Sequence, residues 1–333
     1  MYKKRVTLKD IAEAAGVSST TVSIIINGRS DVKIGKETKS RVLKAAEVLG
    51  YSITPPKKHH VSPIVCFIHE NVVQDNIGTS FFSRVSTHLR TLCEKSDLGF
   101  LEFEYNESIR LQQYQTILTY QPVALVSYSA GFVTFHENQK NGIPLFYLQG
   151  ERLPSGKNRT SSLFMVDDYR IGQLGAQHLF FQGYRSCGLI FPDSSARCIH
   201  QRLTSFKETF TSLGGEVANI TFNIDDHTGL VKWFQQWDRT KFDSFYFFSD
   251  AMAVPAIRGL QLQQCPIPEE AAILGTDNLY WGQYIHPSLT TMDLHENVFA
   301  GRLYEEIKSI VQGGKFYPGE ITIPVDLIQR EST

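Results

Sequence analysis

The sequence predicts a small all-α head followed by a large α/β body. Charge divides the chain near residue 60: residues 1–60 hold 12 lysines and arginines against 5 acids, whereas residues 61–333 hold 21 against 29. Two short helical patterns separated by a glycine open the head, and short apolar runs alternate with helical patterns in the body. A basic head on an acidic body suits a head that binds polyphosphate. The alternative is a basic tail without function.

Composition places the chain among ordinary globular proteins. It has 333 residues, 42% hydrophobic and 20% charged, which is enough for two or three domains. No apolar run approaches the ~18 residues of a membrane span, and MYKKRVTLKD lacks the apolar stretch of a secretory signal. We therefore expect a cytoplasmic protein. Five cysteines without a C-x-x-C pair indicate buried, reduced thiols and no disulfide or zinc site.

The first helix is predicted from Leu8 to Ala15. Apolar residues follow the spacing of one helix face, and Asp10 stands three residues after Thr7, as in a capping box. Gly16 then ends the helix. A third helix is predicted between Gly35 and Gly50; its inward residues are Val42, Ala46 and Leu49.

The stretch VSSTTVSIIIN, residues 17–27, predicts the second helix, with Ser18 as its N-cap. Its inward residues are Val22, Ile25 and Ile26; its outward residues are Ser19, Thr20, Ser23, Ile24 and Asn27. Short uncharged side chains let a helix lie close against base edges in a major groove. Nearby cations that can reach phosphates are Lys9, Arg29, Lys33, Lys36, Lys39 and Arg41. A solvated helix face is the alternative.

The segment TLKDIAEAAGVSSTTVSIIINGRSDVKIGKETKSRVLKAAEVLGYS closely resembles the DNA-binding head of the LacI/GalR family of bacterial transcriptional regulators. The resemblance implies a lambda-repressor-like helix-turn-helix domain over residues 1–51. It implies that Ser19, Thr20 and Ile24 read bases. It also implies backbone phosphate contacts near Thr7, Ser18, Thr21, Ser23, Asn27 and Thr38.

Two residues of the head depart from the family pattern. Ile24 stands where the family often has arginine; isoleucine cannot form a bidentate bond to guanine but can pack on a thymine methyl group. Gly35 stands at a helix cap where serine is usual, and glycine is tolerated there at a small loss of stability.

Residues 52–63, SITPPKKHHVSP, predict an extended linker because they contain three prolines and no helical apolar pattern. The family usually has a longer segment here, with a leucine on a hinge helix that opens the minor groove. This linker lacks such a leucine. Either Lys57 and Lys58 enter the minor groove as unstructured cations or the linker is an electrostatic tether; we favour the tether.

The body, residues 64–333, predicts βαβ units and parallel sheets. The predicted strands are 64–68, 100–103, 123–126, 145–148, 163–166, 188–191, 217–222, 245–248 and 272–274. Ligands of such folds bind beyond the carboxyl ends of the strands. Polar residues stand at those ends: Ser127 with Tyr128, Gln149, Asp193, Ser249 with Asp250, and Asp277 with Asn278. Each alone suits a turn, whereas five in succession favour a polar ligand cleft.

The body also resembles the effector-binding core of the same family, through segments such as VDDYRIGQLGAQHL, RLTSF, FFSDAMA and ILGTDN. The resemblance implies a periplasmic-binding-protein-like fold: two Rossmann-like lobes joined by three crossovers. It places lobe 1 at about 64–160 and 293–321, and lobe 2 at about 161–292 and 322–333.

The resemblance further implies that Arg202 and Asp277 bind ligand hydroxyls. Gln149 and Ser249 stand where several sugar-responsive members have aspartate and asparagine, so the identity of the effector does not carry over. Phe82 and Trp281 either stack on a ligand ring or belong to the core.

The resemblance implies a homodimer on a near-palindromic operator, with residues 81–95 starting the interface of the first lobe. No heptad repeat follows Pro324. We expect a repressor of sugar-utilisation genes that a small carbohydrate releases from DNA. The alternatives are a regulator with a purine-like corepressor, a sugar-binding receptor or an enzyme. The sequence has no phosphate loop, H-E-x-x-H or G-x-S-x-G motif, so we expect no catalytic residue, cofactor or metal site.

Overall fold

The computed structural model describes residues 6–26, 34–49, 51, 62–70, 81–150 and 160–333, with the Lys36 side chain left out. The chain separates into a head unit, residues 1–61, and a body unit, residues 62–333. The linker, residues 52–63, lies outside the described residues except for Ser62 and Pro63.

The head contains three helices, α1 (Leu8–Ala15), α2 (Ser19–Ile26) and α3 (Lys36–Val48). Thr7 and Asp10 form the predicted capping box, and Gly16 adopts φ 65° at the end of α1. The apolar faces of the helices meet in one small core of residues that are at least 92% buried: Ile11, Ala12, Ala15, Val22, Ile25, Ile26, Val42 and Ala46. The prediction for Leu49 was wrong. It follows the last residue of α3 and stays 37% exposed.

The body contains twelve described strands: β1 (Ile64–His69), β2 (Gly99–Glu104), β3 (Ala124–Ser127), β4 (Leu145–Leu148), β5 (Ser161–Val166), β6 (Ser186–Phe191), β7 (Glu216–Thr221), β8 (Ser244–Phe247), β9 (Ala272–Thr276), β10 (Thr290–Asp293), β11 (Glu320–Ile323) and β12 (Asp326–Ile328). They form two six-stranded sheets, in the orders β11-β5-β4-β3-β1-β2 and β12-β10-β9-β8-β6-β7. Every described pairing is parallel except that of β10 with β12. The two-lobed α/β prediction is thus confirmed.

Helices cover both sheets. The first lobe has α4 (Phe81–Glu94), α5 (Arg110–Thr119), α6 (Ala130–Gln139) and α11 (Glu296–Val311); the second has α7 (Asp168–Phe181), α8 (Arg197–Ser212), α9 (His227–Gln235) and α10 (Asp250–Leu262). Because helices cover the sheets, β3, β4, β5, β8 and β9 are buried along their whole length. All nine predicted strands are present. The central ones are continuous apolar runs, whereas the edge strands β2 and β7 are partly exposed and include polar residues such as Glu102 and Asn219.

The predicted lobe boundary at residue 160 was one strand too early. β5 pairs with β4 and β11, so it belongs to the first sheet, and the chain enters the second lobe at Asp167. The predicted run of β5, residues 163–166, is apolar, and buried strands of either sheet have such runs, so its sheet could not be read from its residues. The chain then returns between β10 and α11 and crosses again between β11 and β12, which confirms three crossovers.

The cysteines are free thiols. Cys66, Cys93, Cys187 and Cys265 are buried as predicted, whereas Cys198 is only partly buried at the start of α8. Within the described residues, no helix combines the length and apolar character that a membrane crossing requires.

Candidate DNA-binding surface and ligand cleft

The outer face of α2 carries the predicted base-reading residues. Ser19 and Thr20 are exposed and Ile24 is partly buried, while Val22 and Ile25 face the core. Thr20 and Ile24 stand four residues apart and so share one face of the helix. α2 therefore presents a narrow surface with hydroxyl groups and one apolar side chain, which can approach base edges closely.

Three predicted phosphate contacts, Thr7, Ser18 and Thr21, have their hydroxyl groups engaged within the head. The Thr7 hydroxyl donates to Asp10 Oδ2 over 2.8 Å and caps α1. The Ser18 Oγ accepts the Thr21 N–H over 3.1 Å and lies 2.9 Å from the Thr21 hydroxyl. Ser18 is thus the N-cap of α2, as predicted. These side chains fix the start of each helix before any contact with DNA.

The remaining predicted DNA contacts divide into two groups. Ser23 on α2 and Thr38 on α3 are partly buried. Asn27, Arg29, Lys57 and Lys58 lie outside the described residues.

Arg202, on α8, forms the charged centre of the second lobe. Its Nε donates to Asp168 Oδ1 over 2.8 Å, and the two side chains are 5% and 3% exposed. Its guanidinium also lies 5.1 Å from the centre of the Phe248 ring. Burial lowers the pKa of Arg202, but Asp168 together with Cys198, Tyr246 and Asp277 raises it by more, so the net pKa is raised. Arg202 is therefore a fixed, permanently charged donor.

Asp277 follows β9 and lies near the same charge. Its backbone has φ 112°, and its N–H donates to Met292 O over 2.9 Å. Burial raises the pKa of the Asp277 carboxyl to about 6, although Arg84 and Arg202 lower it. Arg202 and Asp277 thus place a multiple donor and an acceptor at the carboxyl edge of one sheet.

The first lobe contributes an aromatic pair and an arginine. The rings of Phe82 and Tyr128 stack with centres 4.1 Å apart and an 8° angle between their planes. Arg84, one half-turn after Phe82 on α4, donates from Nη2 to the Asp277 carbonyl over 3.2 Å. This bond brings the aromatic side of the first lobe to the Asp277 loop of the second.

The predicted residues at the ends of β3 and β4 are bonded to the protein. The Ser127 hydroxyl donates to Ile68 O over 2.8 Å. Gln149 Oε1 accepts the Val166 N–H over 2.9 Å. Both residues hold neighbouring strands together.

Ser249 and Asp250, at the end of β8, differ in their bonding. Asp250 is fully buried, and its carboxyl accepts from Leu279 N–H (2.8 Å) and the Thr291 hydroxyl (2.7 Å). It therefore anchors the loop after β9 and has little capacity left for a ligand. Ser249 is 7% exposed, and its hydroxyl has no hydrogen-bond partner among the described residues. A buried hydroxyl without a partner is unfavourable, which makes Ser249 a candidate ligand contact.

Trp281 lies partly buried in a short 3-10 helix, Tyr280–Gln283, just after the Asp277 loop. Next to Arg202, a recess of about 550 Å³ opens at the carboxyl ends of β6, β7 and β8. It is lined by Pro192, Asp193, Ser194, Ile199, Thr221, Phe222, Asn223, Ile224 and Phe248. Phe248 joins the recess to Arg202.

The sequence reasoning missed four residues of this site. Asp168 lies at the start of a helix, where an acid is expected as a capping residue, so its pairing with Arg202 carried no signal. Arg84 lies inside α4 and not at the end of a strand, so the search for polar residues at strand ends did not identify it. Phe222 and Phe248 were recognised only as ends of apolar strands. The combination of planar donor, carboxylate, buried hydroxyl and aromatic faces suits a polar ligand with hydroxyl groups and some apolar surface.

Two family profiles match the chain. That of the bacterial regulatory proteins of the lacI family matches residues 7–53, and that of the periplasmic binding protein-like domain matches residues 176–333. The chain is 26% identical to the sucrose operon repressor of Escherichia coli, over 98% of this chain and 99% of that protein. It is 22% identical to the transcriptional regulator DegA of Bacillus subtilis, over 99% and 98%.

Solved structures share the fold. A complex of the transcriptional regulator CelR with cellobiose matches with a TM-score of 0.67 and 20% identity, over 99% of this chain and 100% of that one. A ribose-bound LacI family regulator from Enterococcus faecalis matches with a TM-score of 0.65 and 24% identity, over 81% and 98%. The lac repressor dimer bound to operator matches with a TM-score of 0.67 and 17% identity, over 99% and 99%.

Proposed function

Because the chain belongs to the lacI family of bacterial regulatory proteins, we propose that this DNA-binding transcriptional regulator represses sugar-utilisation genes and leaves its operator when a small carbohydrate binds. The observation that carries the proposal is that the charge of Arg202 acts on the buried carboxyl of Asp277, while Arg84 joins Asp277 to the helix of the first lobe that carries the stacked Phe82. A sugar offers hydroxyl groups to the charged pair and an apolar ring face to the aromatic residues. The proposed role of the cleft is binding without catalysis.

The proposed DNA contacts follow the geometry of the head. Ser19, Thr20 and Ile24 read bases, since they lie on the outward face of α2. Cations of the head bind phosphates, and Lys57 and Lys58 tether the head to DNA electrostatically. The proposed limits are residues 1–51 for the head, 52–63 for the linker and 64–333 for the body, in a cytoplasmic protein.

The proposed effector contacts are Arg202, Asp277 and Ser249 in the second lobe, with Phe82 and Tyr128 in the first. Gln149 and Trp281 stay as flanking contacts, and Ser127 and Asp250 support the cleft because protein groups already occupy them. Similar proteins include a sucrose operon repressor and a ribose operon repressor, and similar structures hold cellobiose and ribose. These names support a carbohydrate as the effector class.

A two-fold dimer accompanies the proposal. Tyr280 and Tyr284 are 74% and 67% exposed on the second lobe, and their hydroxyl groups lie 3.2 Å apart. On the first lobe, Val298 of α11 is 48% exposed beside Leu92 of α4. Exposed apolar surface of this kind is typical of protein interfaces. The similarity to the lac repressor dimer on its operator supports the same assembly.

The test combines DNA footprinting with a ligand panel. Purified full-length protein is applied to promoters flanking its own gene, with and without ribose, sucrose, cellobiose, hypoxanthine and guanine. We expect one near-palindromic site whose protection disappears with a sugar and weakens steeply with salt. Protection that instead requires a purine would establish the corepressor alternative.

The variant Asp277→Asn tests the ligand site. It should leave operator protection unchanged while the sugar no longer releases the DNA. Asp238→Asn is the matched control, because Asp238 is an exposed acid whose carboxylate caps the turn at Thr240, away from the cleft. Absence of a protected site under every condition would refute the DNA-binding proposal.

A further inference from the structure

Arg84 connects the two lobes at the residue proposed to hold the ligand. Its Nη2 donates to the Asp277 carbonyl of the second lobe over 3.2 Å, and its Nε donates to Glu296 of the first lobe over 3.0 Å. The side chains of Arg84 and Glu296 are only 15% and 19% exposed. The arginine therefore has a fixed position set by its own lobe and reaches across to the other.

The Asp277 backbone needs such support. A φ of 112° is unusual for a residue other than glycine and persists only where the surroundings hold it. The Asp277 N–H is bonded to Met292 O, and the next N–H, that of Asn278, donates to the Thr291 hydroxyl over 3.2 Å. Both bonds lie within the second lobe. The Asp277 carbonyl is bonded to Arg84, in the first lobe.

We propose that Arg84 is a positioning residue that orients the Asp277 carboxylate for the effector and ties this orientation to the closed arrangement of the two lobes. The role of Asp277 in ligand binding rests on the proposed function; the link between Arg84 and Asp277 does not. Opening of the lobes would break the Arg84 bond and release the Asp277 backbone. Ligand contact and lobe closure would thus depend on the same arginine.

The charges around Asp277 give the proposal a measurable consequence. Arg84 on α4 and Arg202 on α8 lower its pKa, whereas burial and Glu296 on α11 raise it. Asp250 on α10 and Tyr246 on β8 also interact with its charge. Arg84 is the strongest of the charges that keep Asp277 ionised. Loss of this charge should make Asp277 easier to protonate.

The experiment measures the Asp277 pKa directly in the full-length protein without ligand or DNA. Carboxyl carbon resonances of ¹³C-labelled aspartate are titrated, and Asp277→Asn identifies the resonance. In Arg84→Gln the pKa should rise by about 1 unit, and amide exchange of residues 276–279 should accelerate. Arg84→Lys keeps the charge, so its pKa should stay near the wild-type value.

Arg90→Gln is the matched control, since Arg90 lies on the same helix and pairs with Glu102, away from the cleft. In Arg90→Gln the pKa of Asp277 should equal that of the wild type. Arg84→Gln leaves Glu296 without its ion-pair partner. If this variant folds poorly, the double variant Arg84→Gln with Glu296→Gln removes both charges. The Asp277 pKa of the double variant should lie between those of the wild type and Arg84→Gln.

An unchanged Asp277 pKa in Arg84→Gln would overturn the proposal, as would an equal shift in Arg90→Gln. Neither result depends on a sugar or an operator. Failure of the proposed function would appear instead in the footprinting experiment, so the two failures can be told apart.

Discussion

Arg202 and Asp168 form an ion pair with 2.8 Å between Nε and Oδ1, and both side chains are at least 95% buried. The pair joins the start of α7 to the middle of α8, at the carboxyl edge of the second sheet. Asp168 thereby occupies one donor of the guanidinium and fixes its plane, while Nη1 is directed at the Phe248 carbonyl over 3.5 Å. A donor held in this way is organised before the ligand arrives, so less freedom is lost on binding.

The first prediction concerns Asp168→Asn. The change leaves the Arg202 charge buried without its counter-ion, and removal of one partner of a buried pair typically lowers the free energy of unfolding by about 3 to 5 kcal/mol. Urea unfolding monitored by circular dichroism measures the loss. Asp168→Leu with Arg202→Met should recover most of the stability, because no charge then remains. A single variant as stable as the wild type would show that solvent, and not Asp168, compensates the arginine.

The second prediction concerns pH. The pKa of Asp277 is about 6 in the folded protein against an ordinary 3.8. Between those values the folded state holds a proton that the unfolded state releases. Stability therefore falls as pH rises from about 4 to 6, with a slope of at most about 1.4 kcal/mol per pH unit for one proton.

The comparison with Asp277→Asn isolates this contribution. The difference in unfolding free energy, wild type minus variant, should decrease from pH 4 to pH 6 and stay constant above pH 6. Chemical denaturation at half-unit intervals of pH measures it. A difference that increases with pH would mean that the arginines outweigh burial and that the Asp277 pKa lies below its ordinary value.

Residues with a repeating pattern were predictable from the sequence. The capping box of Thr7 with Asp10 and the apolar face of α2 follow from local spacing, and the central strands β3, β4, β8 and β9 follow from apolar runs that are buried along their whole length. The prediction failed where the pattern is weak. β10 contains two threonines and an aspartate, and β11 and β12 are short and partly exposed, so periodicity does not mark them.

Contacts between distant segments could not be read from spacing. Arg202 and Asp277 were identified through family resemblance and strand ends, but their partners are 34 residues away for Arg202 and 193 residues away for Asp277. Asp250 illustrates the opposite error: it follows a strand like a ligand residue, yet one of its oxygens accepts from Leu279 in the loop after β9 and the other from Thr291 on β10. Only the tertiary structure distinguishes a carboxylate that faces a cleft from one that supports it.

The third prediction concerns the head. Asp10→Ala removes the acceptor of both the Thr7 N–H and the Thr7 hydroxyl. Loss of a cap typically lowers helix stability by about 1 kcal/mol, or a fivefold loss of amide protection in α1. Hydrogen exchange of the full-length protein measures it. Glu13→Ala is the control, because Glu13 is an exposed acid on the same helix outside the capping box. Equal protection in both variants would show that the helix is held by packing alone.

The fourth prediction concerns the specificity of the head. Ile24 lies on the outward face of α2 one turn after Thr20, so Ile24→Arg places a bidentate donor where an apolar side chain stood. An arginine bonded to guanine discriminates against other bases by about 1 to 3 kcal/mol. We expect selection from a randomised operator library to change one base pair in each half-site towards guanine, while the rest of the site is retained. Ile24→Leu keeps an apolar contact and should keep the wild-type preference. A change spread over many positions would mean that Ile24 acts through the packing of α2 and does not contact a base.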